Sequence, residues 1–234
     1  MPQQSGSARS YELLLIAVIA ARATSFIFSK MILESLAPFN LLAVRFIIAF
    51  VLLALIFNKA VRSLAARDLF AGTVIGTAFF ITMACEMIAL TQAASSLVSL
   101  LENCAIIFVP LLEILLYKKL PGKLTVISTG MAMLGVVLLA LGQGELSGGF
   151  TWGLAAGLCY AAAIIVTERL SHGSTATLGI GIVQVGTMGV LSFLAMLLTE
   201  TPQLPQSGSQ WLMLAMLIIV CTGFGFPLQP MAQS

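Results

Sequence analysis

The 234-residue chain is 59% hydrophobic and only 9% charged, with a mean hydropathy of +1.07. A soluble domain carries roughly a quarter charged residues, so this composition cannot cover a water-facing surface and lipid must be the solvent for most of it. The net charge of +2 is too small to argue for nucleic-acid binding.

A membrane-crossing helix needs roughly 20 mostly apolar residues. Segments of that kind run over 12–33, 38–57, 68–91, 94–117, 121–142, 149–168, 176–199 and 209–230, which predicts an all-α, polytopic helical bundle of eight spans. The breaks between them hold turn-forming residues: Pro38, Asn58, Pro121-Gly122, the stretch from Gly142 to Gly149, Gly173-Ser174, and Thr201 to Ser209. The first segment exceeds the roughly 7–15 residues of a secretory h-region and has no small-residue cleavage site, so it is expected to stay as span 1.

Lys and Arg set the orientation. Arg9, Lys59, Arg62, Arg67, Lys118, Lys119, Lys123 and Arg169 all fall on one side of this span pattern, and the opposite loops hold only Lys30. The N-terminus is therefore expected in the cytoplasm, in a cell (inner or plasma) membrane. Lys30 and Glu34, one turn apart at an outer edge, read as an exposed i,i+4 pair. Trp152 and Trp211 lie at outer span ends and read as interfacial anchors.

Spans 1–3 and 6–8 can be set against each other with opposite topology. Lys30 then meets Arg169, Arg45 meets Gln184, and the stretch from Cys85 to Ala89 meets that from Leu228 to Ala232. This suggests a five-span unit over 12–142, followed by an inverted copy over 149–230 that stops after three spans.

Ionisable groups inside spans are costly and turn toward a bundle interior or cavity. Here they are Arg22, Arg45, Glu86 and Glu102, with Glu113 nearer an edge. From the helical rise, Arg45 and Glu102 lie roughly 10 Å below the outer surface, Glu86 roughly 7 Å, and Arg22 near the middle. Phe79, Thr82 and Glu86 form one stripe of span 3. Ser95, Ser99, Glu102, Ile106, Val109 and Glu113 fall on one face of span 4. These faces are expected to meet at a cavity where Arg22 and Arg45 pair with Glu86 and Glu102, either as a substrate or proton site or as a static network that fixes packing.

Asn103, Tyr160, Gln184 and Gln229 are the neutral polar candidates for such a site. Helix–helix hydrogen bonds or core packing are the plainer roles for the last three. Gly72-x-x-x-Gly76 and Gly153-x-x-x-Gly157 are expected to let helices approach closely.

The four cysteines sit in apolar runs without metal-ligand spacing, and the single histidine, His172, lies in a loop. No metal or cofactor is implied, and the absence of any His or Asp inside a span argues against an intramembrane enzyme. There is no GxxxxGK[ST] loop for ATP-driven pumping.

Four stretches carry a family resemblance. They are Ala23 to Lys30 with Leu36-Ala37-Pro38-Phe39 and Arg45-Phe46; Ala93-Ala94-Ser95-Ser96; Gly130 to Leu141; and Thr222 to Gln229. Together they resemble EamA-type proteins of the drug/metabolite transporter superfamily. Arg22-Ala23 stands where such proteins often have Trp-Gly, and Lys118-Lys119 where an acid is usual after span 4. The resemblance implies ten spans in two five-span repeats, and a carrier, often an exporter, of small metabolites such as amino acids or drugs. This chain would then be truncated after span eight. The alternative is a transport-incompetent fragment or a partner-dependent membrane subunit.

Overall fold

A computed structural model describes residues 24–117, 122–142, 148–172, 174 and 176–219. They form helices and turns, with no strand. The helices are α1 (Thr24–Leu33), α2 (Pro38–Ile56), α3 (Asn58–Arg62), α4 (Ala66–Gln92), α5 (Ser95–Asn103), α6 (Ala105–Tyr117), α7 (Lys123–Gly142), α8 (Gly148–Ser171), α9 (Thr177–Thr199) and α10 (Gly208–Met216). Five stretches are long and apolar enough to cross a membrane: α2, α4, α5 with α6, α8 and α9. Shorter apolar helices stand within the expected spans 1, 5 and 8.

The ends of these helices follow local chemistry. Pro38 opens α2 at a position where a missing N–H costs nothing. The next two amides of α2 are bound from far along the chain. Glu200, just past α9, accepts hydrogen bonds from the backbone N–H groups of Phe39 and Asn40, each at 2.9 Å, and from the Asn40 side-chain amide at 2.8 Å. Asn40 also donates to the Thr201 carbonyl at 3.1 Å and accepts from the Gln203 amide at 2.6 Å. A carboxylate on a helix N-terminus satisfies orphan donors and the helix dipole together. Glu200→Ala is expected to lower the unfolding free energy by about 2 kcal/mol, with Glu200→Gln recovering part of it. Thermal unfolding in detergent checks this, and an unchanged midpoint would remove the clamp from the account.

Lys30 is not the partner of Glu34 that its spacing suggests. Its ammonium donates to the carbonyls of Leu90 and Ala93, the latter at 3.1 Å, where α4 ends. A cation there complements the negative end of the helix. At the other end of α4, Asp68 accepts from the Ala65 amide and from the Ser174 hydroxyl, both at 3.2 Å. That contact ties the start of α4 to the turn before α9.

Packing is organised around α4, which lies along α8 and α9. Helix α9 also lies along α2, and α5 and α6 lie on α8. Both expected glycine pairs sit at these crossings. A side-chain carbon on Gly76 would stand 2.7 Å from the Gln184 carbonyl oxygen of α9, and one on Gly157 2.5 Å from the Leu101 carbonyl oxygen of α5. Only glycine permits that backbone approach.

The fourth span departs from the sequence expectation. Its helix is interrupted at Cys104, whose amide turns back to the Leu101 carbonyl at 3.1 Å. The freed Leu100 carbonyl accepts from the Cys104 thiol at 3.4 Å, and Asn103 donates its side-chain amide to the Ser99 carbonyl at 2.7 Å. The single face expected from Ser95 to Glu113 therefore does not run through: Glu102 is buried while Ile106 is 64% exposed.

Candidate functional site

Three charged side chains of the described residues lie in the interior of the bundle. Arg45 of α2, Glu86 of α4 and Glu102 of α5 are each only 2% exposed. The helix crossings fix their relative heights. On α9, Gly189 lies against Phe46 and Ile47, and Gln184 and Thr187 lie against Gly76. Counting along α9 brings Arg45 close to the height of Thr82 on α4. Independently, Gly157 of α8 lies against Leu101 and Glu102, and Tyr160 packs edge-on against Phe79 with ring centroids 6.0 Å apart. Counting along α8 brings Glu102 to the height of Thr82 as well. Glu86 stands one helical turn, about 5.4 Å, further along α4.

Two carboxyl groups and one guanidinium thus share a narrow layer, together with Thr82, which is fully buried. The stripe of Phe79, Thr82 and Glu86 expected from spacing is buried throughout. Charges at such a position keep partners, because an isolated ion in an apolar interior is prohibitively costly. Arg45, Glu86 and Glu102 are all engaged in interactions. The Arg45 guanidinium carbon also lies 5.2 Å from the centroid of the Phe46 ring, within cation–π range.

Gln184 is fully buried on α9, about six residues from the height of Arg45 toward the start of that helix. Neither polar atom of its amide has a hydrogen-bond partner among the described residues. The same holds for the hydroxyls of Ser29 and Ser192. The two serines were not singled out from sequence, since one small hydroxyl in an apolar run carries no periodic signal.

Asn103 and Tyr160 belong to a different place. Asn103 follows Glu102 directly in α5, and the helical rotation of about 100° per residue turns it out of the buried layer, so that it is exposed. With Tyr160 it lines a cavity of about 840 Å3 between α6, α7 and α8. Arg22 and Gln229, and the resemblance-bearing stretch from Thr222 to Gln229, lie outside the described residues. No group of three or more His, Cys, Asp or Glu side chains able to hold a metal occurs among the described residues.

These features have a counterpart among known proteins. Residues 9–141, more than half of the chain, match the EamA-like transporter family. The chain belongs to that family. It is accordingly a multi-pass integral membrane protein and a membrane transporter of the drug/metabolite type. The buried layer formed by Arg45, Glu86 and Glu102 lies wholly inside the family-matched part of this EamA-like chain. A solved crystal structure, described only as that of a protein, aligns with 93% of this chain and 78% of its own, at 19% identity and a TM-score of 0.63. That likeness is one of fold. Among curated proteins none matches.

Proposed function

We propose that this EamA-like protein is a secondary carrier of small metabolites, an exporter, and that Arg45, Glu86 and Glu102 are where substrate or coupling proton is bound. The observation that carries the reading is the layer itself. Two acids and one arginine from three helices lie buried within about one helical turn of height inside a membrane bundle, beside the point where span 4 is interrupted. A static network would serve packing equally with apolar residues of similar size. A carrier needs such groups, because a translocated charge or proton must find a counter-charge at each stage of its passage.

In this reading residues 12–142 form one five-span repeat and residues from 149 onward its inverted partner. Alternating access is a rocking of one repeat on the other at the α4–α8 and α4–α9 crossings. Gly72 and Gly76 bring α4 close to α9, and that close approach supports the reading of this crossing as a pivot. Gln184 offers an amide on the second repeat. The substrate leans on Arg45 through a carboxylate or phosphate, and on Glu86 or Glu102 through an ammonium or a proton. The N-terminus faces the cytoplasm.

The test is exchange across proteoliposomes containing the whole chain, preloaded with a metabolite extract, with internal and external pools followed by mass spectrometry. Saturable exchange of particular compounds above protein-free vesicles is expected. Equal exchange in both kinds of vesicle would overturn the proposal.

A further inference from the structure

We propose that the cavity between α6, α7 and α8 is a second binding site, separate from the charged layer, and that it takes an uncharged amphiphile delivered from the bilayer. The inference does not depend on transport. Its volume of about 840 Å3 falls within the roughly 300–1,000 Å3 of small-molecule pockets. Its rim carries Ile106 and Leu124, which are 64% and 78% exposed, so within a membrane the opening faces hydrocarbon rather than water. Its inner wall carries Cys104, Ala105 and Ile107, which are buried.

The polar groups of the lining are an amide and hydroxyls: Asn103, Thr125, Ser128, Thr129 and Tyr160. Among the described residues, no Asp, Glu, Lys, Arg or His lines the cavity. A charged or zwitterionic guest would lose its hydration there without gaining a counter-charge. A neutral guest with one hydroxyl or amide gains a partner without that cost.

The interruption of span 4 points the same way. Irregular backbone at membrane depth persists only where it is buried in protein or lines a cavity, and Asn103 and Cys104 form both the interruption and part of this wall. Asn103 already gives one amide hydrogen to the Ser99 carbonyl, and its carboxamide oxygen takes no hydrogen bond from any described residue. A guest hydroxyl can donate to it.

The probe is octanol carrying a diazirine, photoactivated with the purified whole chain in nanodiscs and mapped by peptide mass spectrometry. Adducts are expected on the lining segments of α6, α7 and α8, and excess unlabelled octanol should suppress them. The corresponding ammonium and carboxylate probes should not label there. Ala132→Trp, which fills the space, should abolish the adducts. Asn103→Leu should weaken octanol competition by roughly fivefold, the worth of one hydrogen bond, and it keeps the test decisive if the tryptophan variant does not fold. Labelling that matches outward leucines such as Leu55 and Leu198, resists competition and ignores both substitutions would mean the crevice holds bulk lipid alone, and would overturn the proposal. So would preferential labelling by either charged probe.

Discussion

Gly157→Val is expected to leave little correctly folded protein. The first carbon of any side chain at Gly157 would stand 2.5 Å from the Leu101 carbonyl oxygen and 3.4 Å from that of Glu102. Both obstacles are backbone, so no rotamer change relieves them and α5 must move off α8. Overpacking a well-packed core costs typically 1–3 kcal/mol, and a rigid obstacle puts this variant at about 3 kcal/mol or more. The damage falls where Glu102 is held, so fold and site are lost together. Gly130 is the control, since a side-chain carbon there meets nothing within 4 Å. Gly130→Ala is expected to be neutral or to gain up to about 1 kcal/mol from helix propensity. Thermal midpoints and the monodisperse fraction in detergent compare the two. Equal behaviour would contradict the α5–α8 crossing described above.

Arg45→Met is expected to cost about 3–5 kcal/mol, the range seen when one member of a buried charge group is removed. Arg45 is the one buried cation among the described residues, against two buried acids. Deleting it leaves Glu86 and Glu102 in an apolar interior with no buried cation among the described residues. Neutralising those acids in the same chain, with Glu86→Gln and Glu102→Gln, should therefore restore most of the lost stability. Arg45→Lys keeps the charge but not the planar fork, and should fall in between. If the added glutamines restore nothing, Arg45 acts through packing on Phe46 and its neighbours rather than through the charge layer.

The membrane helices were legible because hydropathy over the required length is a strong signal. The expected span 38–57 is the helix Pro38–Ile56, 68–91 is Ala66–Gln92, and 176–199 is Thr177–Thr199. The height match of Arg45 and Glu102 was legible for the same reason, since a fixed rise per residue turns sequence position into depth. The interruption at Cys104 was not. It carries neither glycine nor proline, and Pro110 lies six residues further on. It is accompanied by side-chain hydrogen bonds from Asn103 to the Ser99 carbonyl and from Cys104 to the Leu100 carbonyl, which such residues inside an apolar run do not announce. The clamp of Glu200 on Phe39 and Asn40, and the reach of Lys30 to the end of α4, were equally invisible. Both join residues far apart in the chain, and local spacing suggested a nearer partner only for Lys30. Glu102 and Asn103 are neighbours within α5 and point about 100° apart, so one enters the buried layer while the other lines the cavity.

The measurement that bears most directly on the proposed function is metabolite exchange in proteoliposomes by the wild-type chain beside Glu86→Gln and Glu102→Gln, each shown to fold. A carrier working through the buried layer should lose at least about a hundredfold in exchange rate in either variant, the scale on which a buried counter-charge acts, with helix content retained. Wild-type exchange in both folded variants would contradict it, and would leave Arg45, Glu86 and Glu102 as a structural network only.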